Sequence, residues 1–197
     1  DAVIRRNGGF LCAVEGGNIS LAEPCDCVVY LDKDKYLSHM LEKAGVRLFD
    51  SAAAVEACDD KMTTYISLAG HGLHLPDTLP APLCYYADAA VRAEYVRAVG
   101  ERLGYPLVAK KSFGSWGDGV RLVESEAALR QLAEEWKLVP HLYQKLAGKR
   151  GEDLRVLVVG GKAVACMRRK NEADFRSNVE LGGRGEAASP PPAFIAA

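Results

Sequence analysis

The chain has 197 residues, 49% of them apolar and 26% charged, which suits a soluble globular protein of one large or two small domains. Its net charge of −1 gives no global field to attract nucleic acid, and no apolar run approaches the length of a membrane span. The six cysteines are scattered, and Cys25-Asp26-Cys27 has no second pair at zinc spacing, so they read as reduced thiols of a cytoplasmic protein with no metal site.

In chain order, "CVVYL" (27–31) is a short apolar run with β-branched residues, read as a buried strand. Tyr36, Leu37, Met40, Leu41 and Ala44 then recur at helical spacing, and Gly45 supplies a stop. "VRLF" (46–49) is the next strand, which completes a βαβ unit with parallel strands. Asp50 and Ser51 cap an alanine-rich helix, and "DDKMTTYISLAGHG" continues as a second helical piece ended by Gly70 and Gly72. "LPDTLPAP" (75–82) carries three prolines and is expected to be an extended connector near a domain junction.

Residues 88–106 read as a helix with Val91, Tyr95, Val99 and Leu103 on one face, ended by Gly104 and Pro106. "LVAKKSFGSWGDGV" (107–120) is a strand running into a loop with Gly114, Gly117 and Gly119, and "VRLV" (120–123) alternates like a strand beyond it. Ser125 caps a helix carrying Leu129, Leu132, Ala133 and Trp136; "HLYQKL" (141–146) is a strand. Residues 153–170 are two strands joined by Gly160-Gly161, a two-residue hairpin signal. The remainder is polar, glycine-rich and then proline-rich, with no clear core-forming element.

The glycine loop is neither a Walker A motif nor a dinucleotide fingerprint, because both run from a strand into a helix and this loop runs between strands. A hairpin of this kind either makes an ordinary turn or lies over phosphates as a flap, with glycines letting the backbone N–H groups approach the oxygens. Lys110 shares a strand face with Val108, and a lysine on a buried face calls for an anionic partner such as phosphate. Residues 145–184 hold ten Lys or Arg and five acids, a net +5 in a chain whose remainder is near −6, which again suggests an anionic ligand. A parallel βα piece followed by antiparallel strands with helices gives an α/β protein of two lobes, with a cleft expected between them.

These motifs together resemble the ATP-grasp superfamily, and within it the RimK-like carboxylate–amine ligases. The resemblance runs from about Val28 to Gly183 and rests on ordered pieces: "CDDK" (58–61), "LPDT" (75–78), the strand lysine with its glycine flap, "LYQKLAGKRGEDLRVLVVGGKAVACMRR", and "DFRSNVELGG". It implies three parts: a partial pre-ATP-grasp βα domain over 1–58, an N-terminal ATP-grasp lobe with the flap over 59–140, and a partial C-terminal lobe over 141–197.

The resemblance also implies roles. Lys61 and Lys110 would touch the phosphates of ATP from the two sides of the cleft, beneath the flap residues Ser115 and Gly117. Gln144, Lys145 and Leu146 would form the hinge at the adenine edge, and Asp153 would meet the ribose hydroxyls or hold the hinge. Arg176, Ser177 and Asn178 would lie by the triphosphate, and Arg168 would steady the acyl-phosphate and tetrahedral intermediate. The implied partners are ATP with Mg2+, a small carboxylate or amino-acid substrate, and an amine.

Each role has a plainer rival: Lys61 as a solvated helix residue, Asp153 with Arg155 as a surface pair, the run Arg168-Arg169-Lys170 as an exposed strand end, and Asn178 as a turn cap. Trp116 reads equally as an exposed flap residue or as one that packs on a ligand, and His71 and His74 go to the connector. The family's magnesium ligands, an acid followed by a Glu-x-Asn pair, are expected beyond Ala197, since Glu180 and Glu186 do not form that pattern. The chain is therefore expected to be a portion of an ADP-forming ligase, with a non-catalytic ATP-binding module as the alternative. A kinase-like phosphotransferase shares the glycine hairpin but needs H-R-D and D-F-G motifs, and neither occurs in the chain.

Overall fold

A computed structural model of the chain describes residues 2–9 and 12–195. The chain forms two compact units, residues 1–67 and 68–197.

In the first unit, strands β1 (Cys12–Glu15) and β2 (Asn18–Leu21) form an antiparallel hairpin turned by Gly16 and Gly17, both at positive φ. β3 (Cys27–Val29) pairs in parallel with β4 (Arg47–Phe49), and helix α1 (Lys35–Lys43) crosses between them. Asp34 caps α1 by accepting from the Tyr36 and Leu37 amides, while its own carbonyl accepts from the Tyr30 hydroxyl at 2.6 Å. Tyr30, Leu37, Leu41, Val46 and Leu48 form the core, with Cys12, Leu21 and Val28 against it.

The expectation of a buried strand over 27–31 is corrected here. The strand is three residues long, and Val29 and Leu31 are 69% and 94% exposed, because a two-stranded sheet buries only one of its faces. Ser51 caps α2 (Ala52–Asp59) through the Ala54 amide. Asp60 then bonds the Met62 and Thr63 amides at the start of α3 (Lys61–Leu68), which reaches the unit boundary.

The second unit is built on a four-stranded antiparallel sheet ordered β5 (Thr78–Pro80), β8 (His141–Lys145), β6 (Leu107–Lys111), β7 (Val120–Val123). The proline-rich connector is thus an edge strand in part, a position where proline's missing N–H is tolerated. Helices α4 (Ala93–Leu103) and α5 (Glu126–Trp136) cover one face. Their Val96, Val99, Leu103, Leu129, Leu132 and Trp136 pack on Leu107, Ala109, Val123 and Tyr143 of the sheet. α4 starts five residues later than the periodicity of 88–106 suggests, since Arg92 serves as an extended N-cap. The strand expected to open the third piece, β8, hydrogen-bonds to β5 and β6 and so shares the sheet of the glycine hairpin.

After β8 comes a separate antiparallel sheet ordered β11 (Arg184–Ala187), β10 (Lys162–Lys170), β9 (Glu152–Val159). β11 lies in the stretch read as lacking a core-forming element. Its four residues are exposed and carry no apolar alternation, so only its ladder to Met167–Lys170 defines it.

Candidate active site

Strand alternation decides the chemistry of the four-stranded sheet. Leu107, Ala109 and Tyr143 point toward the helices, so Val108, Lys110 and Gln144 stand on the opposite face. There a line of hydrogen bonds crosses three strands. The Lys110 ammonium donates to Gln144 Oε1 at 2.6 Å, Gln144 Nε2 donates to Thr78 Oγ1 at 2.9 Å, and the Thr78 hydroxyl donates to the Pro76 carbonyl at 2.7 Å. Gln144 is 4% exposed and satisfied on both ends of its amide, which fixes its orientation and holds the Lys110 side chain out along the sheet.

Lys110 lies at the mouth of the glycine loop, where the Lys111 amide donates to the Gly119 carbonyl and the Ser112 amide to the Pro140 carbonyl, both at 2.8 Å. Inside the loop the Asp118 amide closes a turn onto the Ser115 carbonyl. Trp116 sits at φ 58 and is 75% exposed.

The loop is held from behind by the segment between β10 and β11. The Arg176 guanidinium donates to the Gly117 carbonyl at 2.8 Å and to the Val120 carbonyl at 3.4 Å, while a bidentate pair with Asp174 braces its other edge. A Cβ at Gly117 would lie 3.0 Å from Leu181 Cδ1 and 3.2 Å from Asn178 Oδ1, so glycine permits this close approach as well as its φ of 85°. The Asp174 carboxyl is held below the usual carboxylate range by the Arg176 guanidinium.

Removal of this brace is expected to free the loop. Arg176→Ala deletes charge-assisted bonds that together contribute about 1–2 kcal/mol net, so hydrogen exchange of the 114–119 amides should accelerate about 5- to 30-fold. Unchanged protection there would show that the loop is held by other contacts.

A second bidentate pair lies on the neighbouring sheet. Asp153 and Arg169 face each other in register across β9 and β10, with Arg169 Nε donating to Oδ1 at 2.8 Å and Nη2 to Oδ2 at 2.5 Å. The Arg169 guanidinium chiefly holds the Asp153 carboxyl below its ordinary range, and a hydrogen bond from the buried Ser177 adds to this. Asp153 thus ties the sheet to the Arg176–Asn178 segment.

A carboxyl with a depressed folded pKa stabilises above its unfolded pKa, and that contribution disappears as pH falls through the folded value. Asp153→Asn is expected to cost about 0.5–1 kcal/mol at neutral pH, the modest size following from solvent screening. The gap in melting temperature between variant and wild type should close below pH about 4. A gap that stays constant through acid would assign the loss to packing instead.

The remaining candidates fall in different places. Arg168 is exposed and, one residue from Arg169, points from the opposite face of its sheet, in register with Leu154 and Glu186. The Lys145 amide donates to the Asp77 carbonyl at 2.9 Å, so the next N–H along the chain is that of Leu146. Lys61 begins α3 in the first unit, whereas every other candidate belongs to the second.

Sequence reasoning passed over Thr78 as a partner of Gln144, Arg169 as the partner of Asp153, and Asp174 as the brace of Arg176. It also missed Asn171, which is buried, donates to the Leu181 carbonyl and accepts the Ala173 and Asp174 amides, shaping the whole turn. The Gly160-Gly161 hairpin by itself would set Arg168 opposite Asp153, since residues equidistant from a two-residue turn face each other until a bulge shifts them. That bulge, between Ala163 and Ala165, moves the partner by one place.

A lysine on a sheet face beside a glycine hairpin, held by a glutamine of the neighbouring strand, is the arrangement expected from the ATP-grasp resemblance. The chain belongs to the RimK-like ATP-grasp domain family, whose model matches residues 58–190.

Among curated proteins it is 32% identical over 155 residues to the glutamate–LysW ligase ArgX of Sulfolobus acidocaldarius, covering 75% of this chain and 52% of that protein. The chain spans about half the length of the curated relatives it matches. In fold it resembles a RimK domain ATP-grasp protein of Sphaerobacter thermophilus, with a TM-score of 0.66 at 21% identity over 93% of this chain and 66% of that one. It also resembles the D-alanine–D-alanine ligase of Bacillus anthracis complexed with ATP, with a TM-score of 0.61 at 19% identity over 84% of this chain and 53% of that one. No helix among the described residues is long and apolar enough to cross a membrane.

Proposed function

We propose that the protein carrying this chain is an ATP-dependent, ADP-forming carboxylate–amine ligase, with glutamate as one of its substrates. The observation that carries this reading is the line Lys110–Gln144–Thr78 on one sheet face beneath a loop latched by Arg176, in a chain of the RimK-like family.

In this reading a carboxylate oxygen attacks the γ-phosphorus of ATP, ADP leaves, and an acyl-phosphate remains. The amine nitrogen then attacks the acyl carbon, inorganic phosphate departs, the nitrogen loses a proton and an amide is formed. Phosphoryl transfer is largely positioning and charge neutralisation, which is the work assigned to Lys110. Ser115, Gly117 and the rest of the glycine loop cover the phosphates and keep water from the acyl-phosphate. Gln144, Lys145 and Leu146 form the hinge at the adenine edge, with the Leu146 N–H as donor; Asp153 and Ser177 brace the sheet beneath the ribose. Arg176 and Asn178 support the loop over the triphosphate, and Arg168 is assigned to the acyl-phosphate.

The donors present suit a polyphosphate: a held ammonium and a loop of glycine amides. Among the described residues no group of three or more His, Cys, Asp or Glu could hold a metal ion. The test is release of ADP and phosphate by the full-length protein, in the presence of magnesium, ATP, glutamate and a panel of carboxylates and amines. Stoichiometric ADP, phosphate and amide support the ligase. ATP binding without turnover on any pair supports the binding module instead.

A further inference from the structure

The helix-covered side of the same sheet carries a cavity that the ligase reading leaves without a role. It is a half-open depression of ≈460 Å³ between β8, α4, α5 and the loop that precedes α4, a size in the range of small-molecule sites. Tyr143 and Tyr95 form its aromatic wall, with ring centroids 6.3 Å apart, and Val91, Ala133 and Leu83 extend the apolar surface. Tyr143 points to this side whereas its neighbour Gln144 points to the Lys110 side, so a ligand here is separated from the phosphate face by the thickness of the sheet.

The wall is built and held by side chains, not left to a loose loop. Glu134 of α5 accepts the Val91 amide at 2.8 Å, Lys137 just after that helix donates to the Ala89 carbonyl at 2.9 Å, and the Tyr95 hydroxyl donates to the Pro80 carbonyl at 3.0 Å. These three bonds pin both ends of the 81–91 segment over the cavity, so the site is largely formed before any ligand arrives.

Charge then narrows the ligand. No acidic side chain lines the cavity, and three basic ones do: Arg92, Lys137 and His141. His141 is 5% exposed, with Nδ1 against the Val139 carbonyl and Nε2 against the Tyr143 hydroxyl, both at 2.7 Å; burial pushes its pKa down, so it is neutral and fully partnered. Lys137 is paired with Glu134 at 3.0 Å. That leaves Arg92 at the N-terminus of α4, whose side chain is exposed. One available guanidinium beside an aromatic, apolar cavity matches a ligand with one aryl group and one carboxylate.

We propose that this cavity is a binding site for a small aromatic monocarboxylate, separate from the nucleotide face, with the ring against Tyr95 and the apolar wall and Arg92 receiving the carboxylate. The site does not depend on the ligase reading, because none of its lining residues is assigned there. Since β8 contributes Tyr143 to one face and Gln144 to the other, occupancy here bears on the strand that carries the hinge.

The test uses phenylacetate and its neutral counterpart phenylacetamide on the full-length protein, with calorimetry and peptide-resolved alkylation of Cys84, which lines the cavity and is partly exposed. Phenylacetate is expected to bind with a dissociation constant on the order of a millimolar and to slow Cys84 alkylation. Phenylacetamide should bind about five- to tenfold more weakly, and Arg92→Gln should weaken phenylacetate by the same factor while leaving the amide unchanged. Ala90→Trp, which fills the entrance, should abolish both effects in a protein that still melts cooperatively. The proposal is overturned by absent binding at tens of millimolar, by equal binding of acid and amide, by indifference to Arg92→Gln, or by competition with ATP. Failure of ligase turnover leaves these readouts untouched, so the two proposals stand or fall separately.

Discussion

Lys110→Ala is expected to weaken ATP binding by about 10- to 100-fold, the equivalent of one charge-assisted contact to phosphate in a partly desolvated site. The size follows from how the ammonium is held. Gln144 is buried and fixed at its other end by Thr78, so Lys110 is oriented before a ligand arrives and loses little side-chain freedom on binding. Truncation also leaves Gln144 Oε1 without this donor, so a modest drop in melting temperature should accompany the loss.

Gln144→Leu separates the two effects. It removes the anchor but keeps the charge, and should lower ATP affinity by only about threefold while costing comparable stability. Equilibrium titration of the full-length protein and both variants, with magnesium, decides between them. If Lys110→Ala binds ATP as tightly as wild type and remains folded, the phosphate assignment is wrong and the sheet face has another purpose.

Gly151→Ala is expected to destabilise the second unit by at least about 3 kcal/mol. Two independent costs add at this position. The residue sits at φ 70, where an L side chain is strained, and a Cβ there would lie 2.1 Å from the backbone carbonyl oxygen of Asn171 and 3.0 Å from that of Asp174. Neither oxygen can move away cheaply. The Gly151 carbonyl accepts the Asn171 amide and the Gly151 amide donates to the Phe175 carbonyl, both at 2.8 Å, so the turn that carries Asp174, Arg176 and Ser177 is stitched to the start of β9 at this glycine. The Arg176 brace on the loop should therefore fail together with stability. Chemical denaturation reads the stability, and exchange of the 114–119 amides reads the loop. A loss below about 1 kcal/mol would mean the turn relaxes without penalty, contrary to the backbone contacts.

Local signals in the sequence carried most of the second unit. The alternation of Leu107 to Lys111 and of Val120 to Val123, the Ser125 cap and the apolar spacing in α5 each specify an element through nearest neighbours, and each stands where expected. The Gly160-Gly161 turn was legible for the same reason. The Gly16-Gly17 turn carries an equal signal, yet β1 and β2 were passed over, because "CAVE" and "NISL" are too short and too mixed to show a period. β11 has no apolar period at all and exists through its ladder to β10.

The candidate site divides along the same line. The residue types and their order, a strand lysine, a glycine loop, a glutamine before Lys145 and the run Phe175-Arg176-Ser177-Asn178, are properties of the chain and carry the expectation of a phosphate site. Which groups hold them is not. That Lys110 rests on Gln144, that Arg176 spends its guanidinium on Asp174 and the carbonyls of Gly117 and Val120, and that Arg169, not Arg155, answers Asp153 are decided by sheet order, by register and by the bulge between Ala163 and Ala165. Patterns of neighbouring residues act over one or two turns or a single strand, so the sequence alone suffices for elements and chemical types. Partners 34 or 59 positions apart meet only when strands pair and loops pack, and that is what the tertiary structure alone determined.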